Sequence, residues 1–148
     1  IGHYKRKHIP KFTLLSIGAS AVMFYLLSLT LGNAELARAF GLEQASVYAS
    51  IVIFGFLYAP VSRMLAIFTQ ALSRRFEFEA DEFAVQTYAD PEVLVSALKK
   101  LSADNLSHLT PHPLKVLIDY SHPPILTRIR ALREKAAFKA TRQSARGP

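Results

Sequence analysis

The 148 residues offer room for one compact domain, or for a membrane part joined to a small soluble part. Hydrophobic residues make up 51% and the mean hydropathy is +0.19, although 20% are charged, so the two kinds must be segregated along the chain. Lys and Arg outnumber Asp and Glu by 18 to 11, which beside long apolar runs points to membrane flanks or lipid headgroups and away from nucleic acid, while the lack of cysteine excludes disulfides and thiolate metal ligands.

Residues 1–11 are basic and carry His3 and His8. The chain starts at Ile1, with no signal peptide ahead of its first apolar run, and reads as a piece of a longer protein. Residues 12–31 contain no charge, and a helix of that length covers about 30 Å, enough for a hydrocarbon core. A polar interruption comes next, with a short helix expected over 34–40 and a break at Gly41. The second apolar run covers 47–72, with Arg63 placed to snorkel and Pro60 expected to kink it. Lys5, Arg6, Lys7 and Lys11 precede the first span, and Arg74 and Arg75 lie just past the second. By the positive-inside rule both ends of this hairpin face the cytoplasm, which brings His3 and Glu77 to one side of the membrane.

Beyond the hairpin the pattern is that of soluble helices. The second helix is expected to continue through 76–88. Asp90-Pro91-Glu92 then combines an N-cap acceptor, a first-turn proline and an early acid. Leu94, Leu98 and Leu101 form an apolar stripe on the helix this opens, residues 106–119 read as irregular, and a last helix after Pro124 carries Ile125, Ile129 and Leu132 on one face. Its basic end, 136–148, is expected to fray. The layout is thus 1–11 as the end of a helix, 12–72 as the hairpin (spans 12–31 and 47–72), 73–135 as a cytoplasmic helical part and 136–148 as a basic, disordered tail.

Chemistry concentrates at a few residues. Glu77 and Asp81 lie one helical turn apart, so both carboxylates share a face just outside the bilayer, where a metal ion would be served if histidines reached it. Alternatively Glu77 pairs with Arg74 or Arg75, and Asp81 with a nearby arginine. If two residues were lost from the front, Ile1-Gly2-His3 would be what remains of His-Glu-Ile-Gly-His, in which two histidines one turn apart bind zinc around a general-base glutamate. His122 stands before two prolines that restrict its backbone, and is placed to donate to a substrate backbone or a developing oxyanion. Arg128 has three available partners: Asp81, Glu77 or a substrate carboxylate. His8, His108 and His112 have no partner in the sequence and read as structural or solvated.

Four segments in order resemble the carboxy-terminal half of type I CAAX prenyl proteases: Ile-Gly-His-Tyr-Lys-Arg-Lys-His at 1–8, Ser-Arg-Arg-Phe-Glu-Phe-Glu-Ala-Asp-Glu-Phe-Ala at 73–84, Ala-Leu-Lys-Lys-Leu-Ser-Ala-Asp-Asn-Leu-Ser at 97–107 and Tyr-Ser-His-Pro-Pro-Ile-Leu-Thr-Arg-Ile at 120–129. The resemblance implies an all-α integral membrane protein, part of a larger multi-pass α-helical barrel whose remaining helices enclose a chamber with these. It implies a zinc metalloendopeptidase that cleaves near the carboxy terminus of prenylated proteins. His3 would be the second zinc histidine, Glu77 the third zinc ligand and Asp81 a support for a ligand histidine, with His122 and Arg128 near the substrate. The implied location is the inner membrane of a bacterium or the endoplasmic reticulum of a eukaryote. Without the first zinc histidine and the catalytic glutamate, these residues alone are expected to be inactive. A heat-shock type of membrane metalloprotease that degrades misfolded proteins, and a non-enzymatic hairpin whose basic tail binds lipid or a partner protein, are the alternatives. The order of Glu77, Asp81 and His122 favours the protease.

Overall fold

The computed structural model describes Lys5, residues 7–87 and residues 90–144, and among these it is all α-helix with no strand. The order is α1 (His8–Thr30), α2 (Ala34–Ala39), α3 (Val47–Thr87), α4 (Pro91–Asp104), α5 (Pro113–Asp119) and α6 (Ile125–Ser144). By contacts the chain divides into two units, Ile9–Phe68 and Ile1–His8 with Thr69–Pro148.

The Ile9–Phe68 unit holds α2, nearly all of α1 and the first half of α3. Pro10 is harmless in the first turn of α1, where the backbone N–H has no intrahelical partner. Gly32 (φ 69) and Gly41 (φ 78) take the left-handed conformation at the turns on either side of α2, which explains the break expected at Gly41. Asn33 caps α2 by accepting a hydrogen bond from the Leu36 N–H at 2.9 Å, and the Gly32 N–H donates to the buried Ser50 hydroxyl at 3.3 Å. Pro60 lies within α3, which stays helical through it.

Two helices, α1 and α3, are long and apolar enough to cross a membrane. None of the apolar window of α1 and only 6% of that of α3 is buried within the protein. A helix from a soluble core would show the opposite. Ile17, Phe24, Val52 and Phe56 all point outward, which hydrocarbon tolerates and water does not. The fold is that of an integral membrane helical protein.

The second unit begins where α3 turns polar. Val85 of α3, Val95 and Leu98 of α4, and Ile129 and Leu132 of α6 form its core, with Leu94, Ile125 and Ala136 packed at the edge. The buried stripe of α4 is Val95, Leu98 and Ser102, rotated from the expected Leu94, Leu98 and Leu101; Leu101 is half exposed. Both sets have helical spacing, and only the position of α6 decides between them. Asp90 caps α4 as its sequence signals, with Oδ1 accepting from the Glu92 N–H at 2.9 Å. The stretch 106–119 departs from the irregular reading, because Pro113 opens the seven-residue α5 after His112 caps it, Nδ1 accepting from the Leu114 N–H. The basic stretch after 135, expected to fray into a disordered tail, is instead helical as far as Ser144. Lys135 pairs with Glu82 at 2.6 Å, and the Lys139 ammonium donates to the Val85 and Gln86 carbonyls at the end of α3, where a cation offsets the helix dipole.

The end of α4 leads to one prediction. The Ser107 N–H bonds the Ser102 carbonyl at 3.0 Å and the Leu106 N–H the Ala103 carbonyl at 3.2 Å, a Schellman closure with Leu106 at φ 48 in the place glycine prefers. Leu106 is 91% exposed, so its side chain gains almost nothing from burial. Leu106→Gly is expected to stabilise the unit by about 0.5–1 kcal/mol, the relief of left-handed strain exceeding the added freedom of the unfolded chain. A fall in melting temperature would contradict this.

A second prediction concerns the clamp between α4 and α6, where Arg133 Nε and Nη2 donate to the two Glu92 oxygens at 2.9 and 3.1 Å. The hydrogen bond from Arg133 holds the Glu92 carboxyl below its ordinary value, against a smaller opposing effect of burial. A lowered carboxylate contributes stability above its unfolded pKa and loses it as pH falls through the folded one. Glu92→Gln is therefore expected to lower the melting temperature slightly at pH 7, the difference from wild type closing as the medium is acidified through that lowered pKa.

Candidate metal and substrate site

The polar turns of α3 carry the site. Glu77 and Asp81 face α6 from successive turns, and Arg128, in the first turn of α6, bridges them. Its Nε and Nη2 donate to the two Asp81 oxygens at 2.8 and 2.7 Å, a bidentate pair, while Nη1 reaches Glu77 Oε2 at 3.0 Å. The three side chains are only 13% (Arg128), 8% (Asp81) and 14% (Glu77) exposed, so these are ion pairs largely withdrawn from water. Burial by itself would lower the Arg128 pKa, but the Asp81 hydrogen bond and the charges of Asp81 and Glu77 outweigh it and raise it. The guanidinium is fixed as a cation.

The other Glu77 oxygen, Oε1, lies 3.1 Å from Nδ1 of His122. The imidazole is 67% exposed, but its backbone is held between buried Pro123 and half-buried Tyr120. A cleft of about 560 Å³ opens beside this group, lined by Glu77, His122 and Arg128 together with Asn105, His108 and Ile125. Its lining mixes apolar residues such as Leu101 and Ile125 with donors and acceptors, the usual make-up of a ligand site.

Thus the structure brings together Glu77, Asp81, His122 and Arg128, drawn from α3, the α5–α6 connection and α6. His3 lies outside the described residues. Among the described residues there is no group of three or more His, Asp or Glu side chains that could hold a metal ion. Of the pairings open in the sequence, the arginine of Asp81 is Arg128. Arg75 binds Glu79 at 3.0 Å, and Arg74 reaches backbone carbonyls.

His8 falls on the structural side of its two readings, with partners that the sequence did not reveal. It is 2% exposed, stacked at 4.1 Å and 5° on the buried Phe76 ring, with Nε2 3.2 Å from Glu79 Oε2. This is a structural histidine with a definite partner, and nothing solvated about it. Burial pushes Glu79 up, but the hydrogen bonds from His8 and Arg75 prevail and its pKa is lowered. The available signal was spacing: Phe76 and Glu79 are one turn apart, so an aromatic and an acid share the face that receives a ring. His112 is an N-cap, and His108 lines the cleft.

The arrangement matches a known class. Residues 1–136 fit the model of peptidase family M48, and the chain belongs to that family. It is similar to the CAAX prenyl protease 1 homolog of Homo sapiens, 38% identical over 135 residues that cover 90% of this chain and 28% of the human one. The homologue of Oryza sativa subsp. japonica is 33% identical over 143 residues, covering 94% of this chain and 32% of its own. The crystal structure of S. mikatae Ste24p superposes with a TM-score of 0.76 at 24% identity, covering 88% of this chain and 34% of that one. The chain thus spans about 30% of the length of these relatives.

Proposed function

We propose that this chain contributes the carboxy-terminal share of the active site of a membrane-embedded zinc metalloendopeptidase, acting on peptide bonds near the carboxy terminus of proteins, prenylated ones among them. The single observation that carries the reading is the charge arrangement at Glu77. Its carboxylate meets the Arg128 guanidinium at one oxygen and the His122 ring at the other, on a rigid helix at the edge of a cleft. Glu77 and the imidazoles of this chain are the oxygen and nitrogen donors that zinc takes in hydrolytic sites, so the residues fit the metal.

In this reading His3 and Glu77 would hold zinc, which would supply Lewis acidity toward the scissile carbonyl and toward water. Arg128 fixes the Glu77 carboxylate at Oε2, and Asp81 fixes Arg128 in turn. His122 accepts orientation from Glu77 Oε1 and presents its imidazole at the cleft, where an N–H would donate to a substrate carbonyl as negative charge develops on it. Similarity to CAAX prenyl protease 1 homologues supports the CAAX type over a heat-shock protease and over a non-enzymatic hairpin. The layout read from the sequence places the site on the cytoplasmic side, with bilayer lipid around the hairpin and the remaining helices of the full-length protein completing the chamber.

The test is an assay of the full-length protein on matched peptides, farnesylated and unmodified, with zinc content measured in parallel. Cleavage that a chelator stops and zinc restores is expected, with the farnesylated peptide preferred. A full-length protein without bound zinc, or turnover indifferent to chelation, would exclude the proposal.

A further inference from the structure

Arg74 sits one turn before Glu77 on α3, in a position where a cation at the membrane exit ordinarily faces headgroups. It does something else. Its Nη1 donates to the Val116 carbonyl at 3.0 Å and also to the Tyr120 carbonyl. Both acceptors belong to the end of α5, where helix carbonyls lack intrahelical partners and a cation is favoured by the dipole. The Tyr120 N–H is itself bonded to the Val116 carbonyl at 3.3 Å, so the guanidinium closes the last turn of the helix from outside.

That turn leads directly into His122. The connection from Tyr120 to Ile125 contains Pro123 and Pro124, which have no N–H to donate; the Pro124 carbonyl ties its far end to α6 by accepting from the Thr127 and Arg128 N–H groups at 3.0 and 3.1 Å, and the near end is the one Arg74 holds. Arg74 and Glu77, at i and i+3, share a face of α3. One holds the backbone two residues before His122 and the other holds its ring at Nδ1. A ring hydrogen-bonded at one nitrogen still pivots about that bond unless its main chain is fixed too.

We propose that Arg74 is a positioning residue: by gripping the Val116 and Tyr120 carbonyls it fixes the main chain that carries His122, and with it the direction in which the imidazole addresses the cleft. This rests on the reading of His122 as a substrate-facing donor. Arg74 itself touches neither substrate nor metal.

The experiment uses the full-length enzyme with Arg74→Ala, Arg74→Lys, His122→Ala and the Arg74→Ala/His122→Ala pair. Zinc content, kcat, KM and hydrogen exchange over 117–122 are measured for each. Arg74→Ala is expected to speed exchange over 117–122 and to lower kcat about 10- to 100-fold, with KM and zinc content little changed, since a misplaced catalytic group costs rate before it costs binding. Arg74→Lys, which keeps a donor but loses the reach of the guanidinium, should recover part of the loss, and it carries the comparison if Arg74→Ala does not fold. In the double variant Arg74→Ala should add nothing to His122→Ala. Unchanged exchange in Arg74→Ala, or losses that multiply in the double variant, would overturn the positioning role. Faster exchange in Arg74→Ala with a fully active His122→Ala enzyme would instead sink the reading of His122 itself, and the proposal with it.

Discussion

Glu77→Gln in the full-length protein is expected to release bound zinc and to lower peptidase activity on the order of 10³-fold or more, because a neutral amide gives a dication far less than a carboxylate does. The substitution preserves volume and keeps one oxygen to accept from His122 Nδ1 or from Arg128 Nη1. Folding should therefore survive, and the helical signal and melting temperature serve as controls. Loss of zinc with the fold intact is the expected pattern. A Glu77→Gln protein that keeps stoichiometric zinc would remove Glu77 from the ligand set, whatever happened to activity.

Arg128→Met should be the most destabilising single change in the α3–α6 unit, at about 3–5 kcal/mol. It would leave Asp81 and Glu77, 8% and 14% exposed, as like charges one turn apart with no cation between them. The cost is that of abandoned partners, more than the worth of the native pairs, and this can be tested directly. Adding Asp81→Leu to Arg128→Met should restore much of the stability, since two apolar side chains then fill the space of a buried pair. Thermal unfolding of the two variants decides it. A cost below about 1 kcal/mol for Arg128→Met would mean that solvent reaches the acids more readily than their burial indicates.

Much of this layout is local and so was open to reading from the residues alone. The apolar stretches 12–31 and 47–72 announce long helices because exposure of that many hydrophobic side chains has no stable solution in water. Asp90-Pro91-Glu92 starts α4 where the cap rule says, and Ile129 and Leu132 are buried as their spacing implies. The choice of Glu77, Asp81, His122 and Arg128 as a group came from the order of four segments, and the structure puts all four side chains within hydrogen-bonding reach of a neighbour in the group.

Partner choice was another matter. Arg74, Arg75 and Arg128 are equally basic on paper, and each was a fair candidate for Glu77. Only the placement of α6 against α3 gives Asp81 and Glu77 to Arg128, and only the end of α5 gives Arg74 its carbonyls. His8 illustrates the same limit, since Phe76 and Glu79 bury it from 68 and 71 residues away in the chain. The sequence by itself determined the two long apolar helices, the start and cap of α4 and the chemical types at the site, because propensity, capping and apolar run length act over a few residues. The tertiary structure alone decided which face of α4 is buried, which arginine neutralises which acid and what holds His122, because those contacts are set by helices meeting across long separations, where any residue of suitable charge and reach would have served equally well.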